Sequence, residues 1–183
     1  MLAITKEEER HLLAKPQKLK NGTYVPCNVS QYEFYRNHGA ADWVLETVAR
    51  NSRSFGAAAE SSAIAQFRLG KRVSSRHDGI LEVDGKQYHV EIKASRWWSA
   101  TRGLAKFQHI ERNYHADIYL FMILDFQGWC MYAITPEHVQ KYLTRQGKQG
   151  EWVLFHDIKH LLCRIHDEEG LKLFAYMADF MNQ

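Results

Sequence analysis

Apolar and polar positions change period several times along the chain, and each change marks an element. Helical spacing of apolar residues appears at about Ser30 to Tyr35 and again at Ala41 to Ala49. Ser54 is placed to cap the next helix, which runs through an alanine-rich stretch to about Leu69, with Gly70 as its stop signal. The period then switches to two, predicting strands at about 78–83 and 87–95. A helix is expected at about 101–114, a buried strand at 117–124 and, past the turn marked by Gly128, a strand at about 129–134. Thr135-Pro136-Glu137 opens a further helix, with proline at its first position. From Glu151 the pattern predicts one strand and a C-terminal helix from about Leu171, the acidic Asp167-Glu168-Glu169 forming a solvated turn before it. Residues 1–30 read as a loosely organised arm with a short helix at about Lys6 to Leu13. Helix, hairpin, helix, strand, strand is an α/β order, a mixed sheet flanked by helices.

The hairpin carries the most information. Asp84-Gly85 is a dipeptide favoured in two-residue type I′ turns, and it sets Val83 opposite Lys86. In that register Asp78 falls opposite Glu91. One face then holds Leu81, Val83, Tyr88, Val90 and Ile92; the other holds Asp78, Ile80, Glu82, Gln87, His89, Glu91 and Lys93. A slip of one residue would scramble this division, so the division supports the register. Two carboxylates are thereby expected with Cβ atoms roughly 5 Å apart, and Lys93 two residues along from Glu91. Like charges so placed destabilise a sheet unless a cation lies between them. Oxygen ligands with room for water suit Mg²⁺ or Mn²⁺.

The flanks add candidates. Glu60, Ile64 and Phe67 share one face of the preceding helix, so Glu60 is expected on the sheet-facing stripe as a third acid, the simpler alternative being a carboxylate favoured by the helix dipole. Gln108 is expected beside the Leu104/Phe107 stripe of the later helix, with Tyr114 further on. Arg96, Trp97, Trp98, Arg102 and Lys106 follow at once, and basic side chains interleaved with aromatics suit phosphates and exposed bases, although both tryptophans serve equally well as core. Between Arg68 and Arg112, Arg76, Arg96, Arg102 and Lys106 belong to a set of ten basic against five acidic side chains, a local surplus of +5 in a chain whose net charge is only +3. A basic middle is the footprint of a phosphate-backbone ligand.

Composition narrows the classes. With 183 residues, 45% of them apolar and 25% charged, the chain suits a single globular domain. The longest apolar run, Ile118 to Leu124, is far too short for a bilayer, and the N-terminus lacks the layout of a signal peptide, so a cytoplasmic protein is expected. Cys27, Cys130 and Cys163 have no spacing that suggests zinc or an iron–sulfur cluster and read as reduced structural thiols.

Asp78, twelve intervening residues and Glu91-Ile92-Lys93 at the end of a strand resemble the PD-(D/E)xK nuclease superfamily, which includes restriction endonucleases, Holliday junction resolvases and RecB-like nucleases. The likeness covers roughly residues 54–134; His77 stands where the family often has proline. Glu60 is similar to the acid many members place on their first core helix, and Gln108 and Tyr114 to residues of a later helix in resolvase- and RecB-like members. The resemblance implies a restriction endonuclease-like mixed β-sheet core flanked by helices, in α-β-β-α-β order. It implies a single nuclease domain in which 54–134 is the catalytic core, 1–53 a helical N-terminal extension and 135–183 a C-terminal extension. It further implies Mg²⁺ (or Mn²⁺) held by Asp78, Glu91 and the Ile92 carbonyl, with Glu60 through water or at a second metal, and catalysis by Lys93 with Gln108 in support. The expected substrate is double-stranded DNA and the expected assembly a homodimer. A restriction-like site-specific enzyme leads; a junction resolvase and a non-catalytic DNA-binding module of the same fold are the alternatives.

Overall fold

The computed structural model describes residues 29–71, 77–97, 105–110, 116–145 and 150–181. Elements follow in the order α1 (Val29–Asn37), α2 (Asp42–Val48), α3 (Ser52–Phe67), β1 (Gly70–Lys71), β2 (Gly79–Val83), β3 (Lys86–Arg96), β4 (Lys106–Ile110), β5 (Ile118–Leu124) and β6 (Trp129–Ile134). Then come α4 (Pro136–Gln140), β7 (Thr144–Arg145), β8 (Glu151–Leu154), α5 (Phe155–Ile158), β9 (Cys163–Ile165) and α6 (Glu168–Met181). The main sheet has the order β1-β2-β3-β5-β6-β9, and a smaller one the order β4-β8-β7. All pairings are antiparallel except β3 with β5, so the main sheet is mixed. No helix of the described residues is long and apolar enough to cross a membrane.

The main sheet has two covered faces. On one, Val90, Ile92, Leu120, Met122 and Ala133 pack under Ala59, Ala63 and Phe67 of α3 and Leu171 and Ala175 of α6. On the other, Tyr119, Phe121, Ile123 and Ile134 pack under Phe107 and Ile110 of β4 and Val153 of β8. β5 supplies both faces, which is why all seven of its residues are buried. A third cluster, with Tyr35, Val44, Val48 and Phe55, closes over Leu124 at the end of β5. There the Tyr35 hydroxyl donates to the Leu124 carbonyl and accepts from the Trp97 N–H at 2.7 Å. The helices before the sheet are thereby pinned to the ends of β3 and β5. Burial of the phenol holds its pKa far above the ordinary tyrosine value.

Several local expectations are corrected. Asn51, not Ser54, caps α3: its side chain accepts from the Ser54 N–H at 2.9 Å. The helix stops at Arg68, which takes the left-handed conformation (φ 49°), and Gly70 is already in β1. The buried stripe of α3 is Phe55, Ala59, Ala63 and Phe67; Ile64 is exposed and Glu60 lies at the margin. The helix expected at 101–114 is a strand over Lys106–Ile110, and Leu104 and Tyr114 lie outside the described residues. The tail holds a second strand, β9, which pairs with β6, and its helix starts at Glu168. Glu168 and Glu169 are therefore in its first turn, behind Asp167, which accepts the Gly170 N–H at 2.8 Å.

Candidate active site

The hairpin forms as its turn dictates. Asp84 (φ 51°) and Gly85 (φ 78°) both take the positive φ that a type I′ turn requires. The ladder runs from Val83↔Lys86 to Gly79↔Val90. Leu81, Tyr88, Val90 and Ile92 are buried on one face, while Glu82 and Gln87 are exposed on the other, as expected.

At Asp78 the ladder ends. Its backbone N–H still donates to Val90 O at 3.0 Å, but its carboxylate turns to β3 and accepts the Ile92 N–H at 2.7 Å. Asp78 thus caps the edge of β3 where β2 leaves it, instead of standing as a ladder partner of Glu91. The N–H and C=O of one strand residue point to the same edge. The Ile92 carbonyl therefore faces the side where the Asp78 carboxylate lies.

Glu91 and Lys93 project from the adjacent face, as their parallel partners Tyr119 and Phe121 do. Lys93 Nζ lies 2.5 Å from Glu91 Oε1, and each side chain is 18% exposed. The pair is half-withdrawn from water, so its attraction is screened less than that of a surface pair. The Asp78 carboxylate and the Ile92 main chain thus meet at the edge of β3, and the Glu91 carboxylate with its Lys93 partner lies on the adjoining face. These all-oxygen donors suit a hard divalent cation, which keeps water in its remaining positions.

The structure does not gather every expected residue here. Among the described residues no group of three or more His, Cys, Asp or Glu side chains stands ready to hold a metal. Glu60 is on α3, whose buried residues Ala59, Ala63 and Phe67 pack on the face of the sheet opposite to Glu91 and Lys93. Gln108 is exposed on β4 and not on a helix beside the site. Arg96 is committed within the fold: its guanidinium bonds the carbonyls of Val48 (3.2 Å) and Arg50 (2.5 Å) and lies 3.9 Å from the centre of the Phe55 ring. Trp97 packs edge-on to Phe155 between two core clusters. Lys106 joins the smaller sheet to the site strand, its N–H donating to Ser95 Oγ at 3.0 Å while Nζ sits 4.3 Å from the centre of the Trp152 ring. Arg76, Trp98 and Arg102 lie outside the described residues.

Sequence reasoning gave no role to three neighbours of the site. His77, buried beside Asp78, lies against the His89 ring with centroids 4.4 Å apart. Asp117 accepts the His89 N–H at 2.7 Å through its carboxylate and returns its own N–H to His89 O at 2.8 Å. This exchange clamps β3 to the start of β5 one turn of the pleat from Glu91. Nothing in the local sequence signals it, because the partners are far apart in the chain. No protein-family model matches the chain, and no curated protein matches it either.

Proposed function

We propose that this protein is a Mg²⁺-dependent (or Mn²⁺-dependent) DNA endonuclease of the PD-(D/E)xK type, with a restriction endonuclease-like arrangement of its sheet. One observation carries the reading. The Asp78 carboxylate bonds the Ile92 N–H, and the two residues that flank Ile92 on β3 are the ion-paired Glu91 and Lys93.

Asp78, Glu91 and the Ile92 carbonyl would hold the ion. When bound, it supplies a Lewis acid for the scissile phosphate and lowers the pKa of a coordinated water. Lys93 is the cation at hand. Its ammonium orients the attacking water and balances charge that grows on the phosphoryl oxygens during in-line displacement. Water attacks phosphorus, the bond to the 3′ oxygen breaks, and the products are a 5′-phosphate and a 3′-hydroxyl.

The placement of Gln108 on a strand removes a feature that favoured the junction-resolvase alternative, and site-specific cutting of duplex DNA remains the preferred reading. The test is cleavage of supercoiled plasmid and long linear duplex in Mg²⁺, Mn²⁺ or chelator, comparing wild type with Lys93→Ala. Metal-dependent cutting that falls at least ~10²-fold in the variant supports the nuclease. Discrete bands support site recognition, and selective cutting of four-way junctions supports the resolvase. Binding to DNA in chelator, with no cutting in either metal, supports the non-catalytic module.

A further inference from the structure

We propose that the outer face of α6 seats a second copy of this chain, the two helices lying antiparallel about a two-fold axis. Helix α6 buries Leu171 and Ala175 against the main sheet. Its far side is as apolar as its near side. Leu173 (59% exposed), Tyr176 (61%), Met177 (44%) and Phe180 (74%) follow one another at i, i+3, i+4 and i+7, a continuous stripe. A helix of a lone globular domain normally turns polar groups outward here.

Area sets what the stripe can support. A large aromatic side chain alone offers ~150–250 Å², so the four residues leave on the order of 500 Å² uncovered. That is already the size of the largest apolar patch on an ordinary monomer. Two such stripes facing each other bury at most about 1,000 Å², the threshold for a specific interface, so the contact is expected to be of modest strength.

The spacing is also self-complementary. Positions 173, 176, 177 and 180 are symmetric about the point between Tyr176 and Met177, as every i, i+3, i+4, i+7 stripe is, so the spacing, though not the residue order, reads the same in both directions. In an antiparallel pair Leu173 meets the partner's Phe180, and Tyr176 meets the partner's Met177, as an isologous contact demands. A cleft of about 390 Å³ opens beside Leu173, between α6 and the β2–β3 turn, with Val83, Asp84 and Tyr176 in its walls. The partner's Phe180 arrives at its mouth.

The charged borders favour this occupant over a bilayer. Lys172 is held by Glu168 at 2.7 Å and Lys86 by Asp179 at 2.5 Å, so the acids Glu168, Glu169 and Asp179 are not outnumbered by cations. A membrane-lying helix needs a lysine- and arginine-rich border. The pairing stands on the stripe alone. Its use, bringing two sites to the two strands of a duplex, rests on the nuclease reading.

The experiment is sedimentation equilibrium of the full chain up to about 100 μM, which lies above the dissociation constants of most specific complexes. Wild type is expected at twice 21.4 kDa. Phe180→Glu and Leu173→Lys are each expected to weaken association at least about 30-fold, the scale of a hot-spot residue. Both positions are exposed, so circular dichroism should stay at the wild-type spectrum, and melting should match wild type at concentrations low enough for wild type itself to be monomeric. The double variant restores opposite charges across the proposed register and is expected to recover dimer. A wild-type chain that stays monomeric overturns the pairing, as does a dimer indifferent to both single variants. Co-sedimentation with lipid vesicles, abolished by Phe180→Glu, would give the stripe to a bilayer and also overturn it. Because mass is read without cleavage, failure here and failure of the nuclease reading are separate results.

Discussion

The ring of Phe107 lies flat on that of Phe121, with centroids 4.3 Å apart and planes 10° from parallel, and Phe121 is the parallel-ladder partner of Lys93. One aromatic stack therefore fixes the smaller sheet to the strand that flanks the candidate lysine. Phe107→Ala should cost about 3–5 kcal/mol, the range for emptying a fully buried aromatic site. Phe107→Leu should cost less, because it keeps much of the volume. Urea denaturation of the two variants checks the order, and an alanine variant within 1 kcal/mol of wild type would refute the stack's importance.

Asp78 has two separable roles. Its carboxylate accepts the Ile92 N–H, and it is a candidate metal ligand. Asp78→Asn keeps an acceptor and loses the charge, so its melting temperature should stay close to wild type while metal-dependent cleavage falls at least ~10²-fold. Asp78→Ala loses both and should in addition be less stable by about 1–2 kcal/mol. Equal stability of the two variants would show that the bond to Ile92 contributes nothing.

The hairpin is tied to α6 by Asp179, which accepts from Lys86 Nζ and from the Tyr88 hydroxyl, both at 2.5 Å. The bond from Lys86 leads in holding the Asp179 carboxyl below its ordinary pKa, and the bond to Asp179 leads in holding the Lys86 ammonium above its own. A depressed carboxyl contributes stability above its unfolded pKa and loses it as pH falls through the folded value. A raised ammonium contributes below its unfolded pKa and loses it as pH rises through the folded value. The tie is therefore present across the neutral range. Asp179→Asn should melt slightly below wild type at neutral pH, and the gap should close only below pH 3.8, the ordinary aspartate value. A gap that is constant from neutral to strongly acidic pH would contradict this.

Cys130 should be a poor nucleophile. Burial, and then its bond to Asp125 Oδ2 at 3.0 Å, push the thiol up to about 11. Alkylation of Cys130, followed by peptide mass spectrometry, should accelerate about tenfold per pH unit until it nears that value. Asp125→Asn should shift the profile to lower pH. Rapid labelling of the wild-type thiol at neutral pH would contradict the assignment.

The hairpin and its register were legible because turn, alternation and charge all act within a few residues of one another. The strand Lys106–Ile110 was not, and its geometry explains why. His109 takes a left-handed conformation (φ 58°) and the register against β8 shifts between Phe107 and Ile110. The bulge turns two inward side chains of a strand into an i, i+3 pair, the spacing of a helix. On α3 the weight given to Ile64 concealed Ala59 and Ala63, whose small size lets the helix approach the sheet closely. Asn51 and Ser54 are both capping residues three positions apart, and only the backbone shows which accepts. The clamp between His89 and Asp117 is long-range and leaves no periodic trace.

Strand β3 is antiparallel to β2 on one side and parallel to β5 on the other, and the two neighbours differ in what it takes to recruit them. The antiparallel neighbour needs only a two-residue turn. The parallel one needs the crossover from residue 97 to 117, whose ends must first find each other at an entropic cost that grows with loop length. The short connection brings Asp78 to Ile92, whereas Glu91 and Lys93 take their ladder partners, Tyr119 and Phe121, from the strand across the crossover. Chain entropy thus opposes the pairing of Asp78 with Ile92 only weakly, and opposes more strongly the docking of β5 beside Glu91 and Lys93.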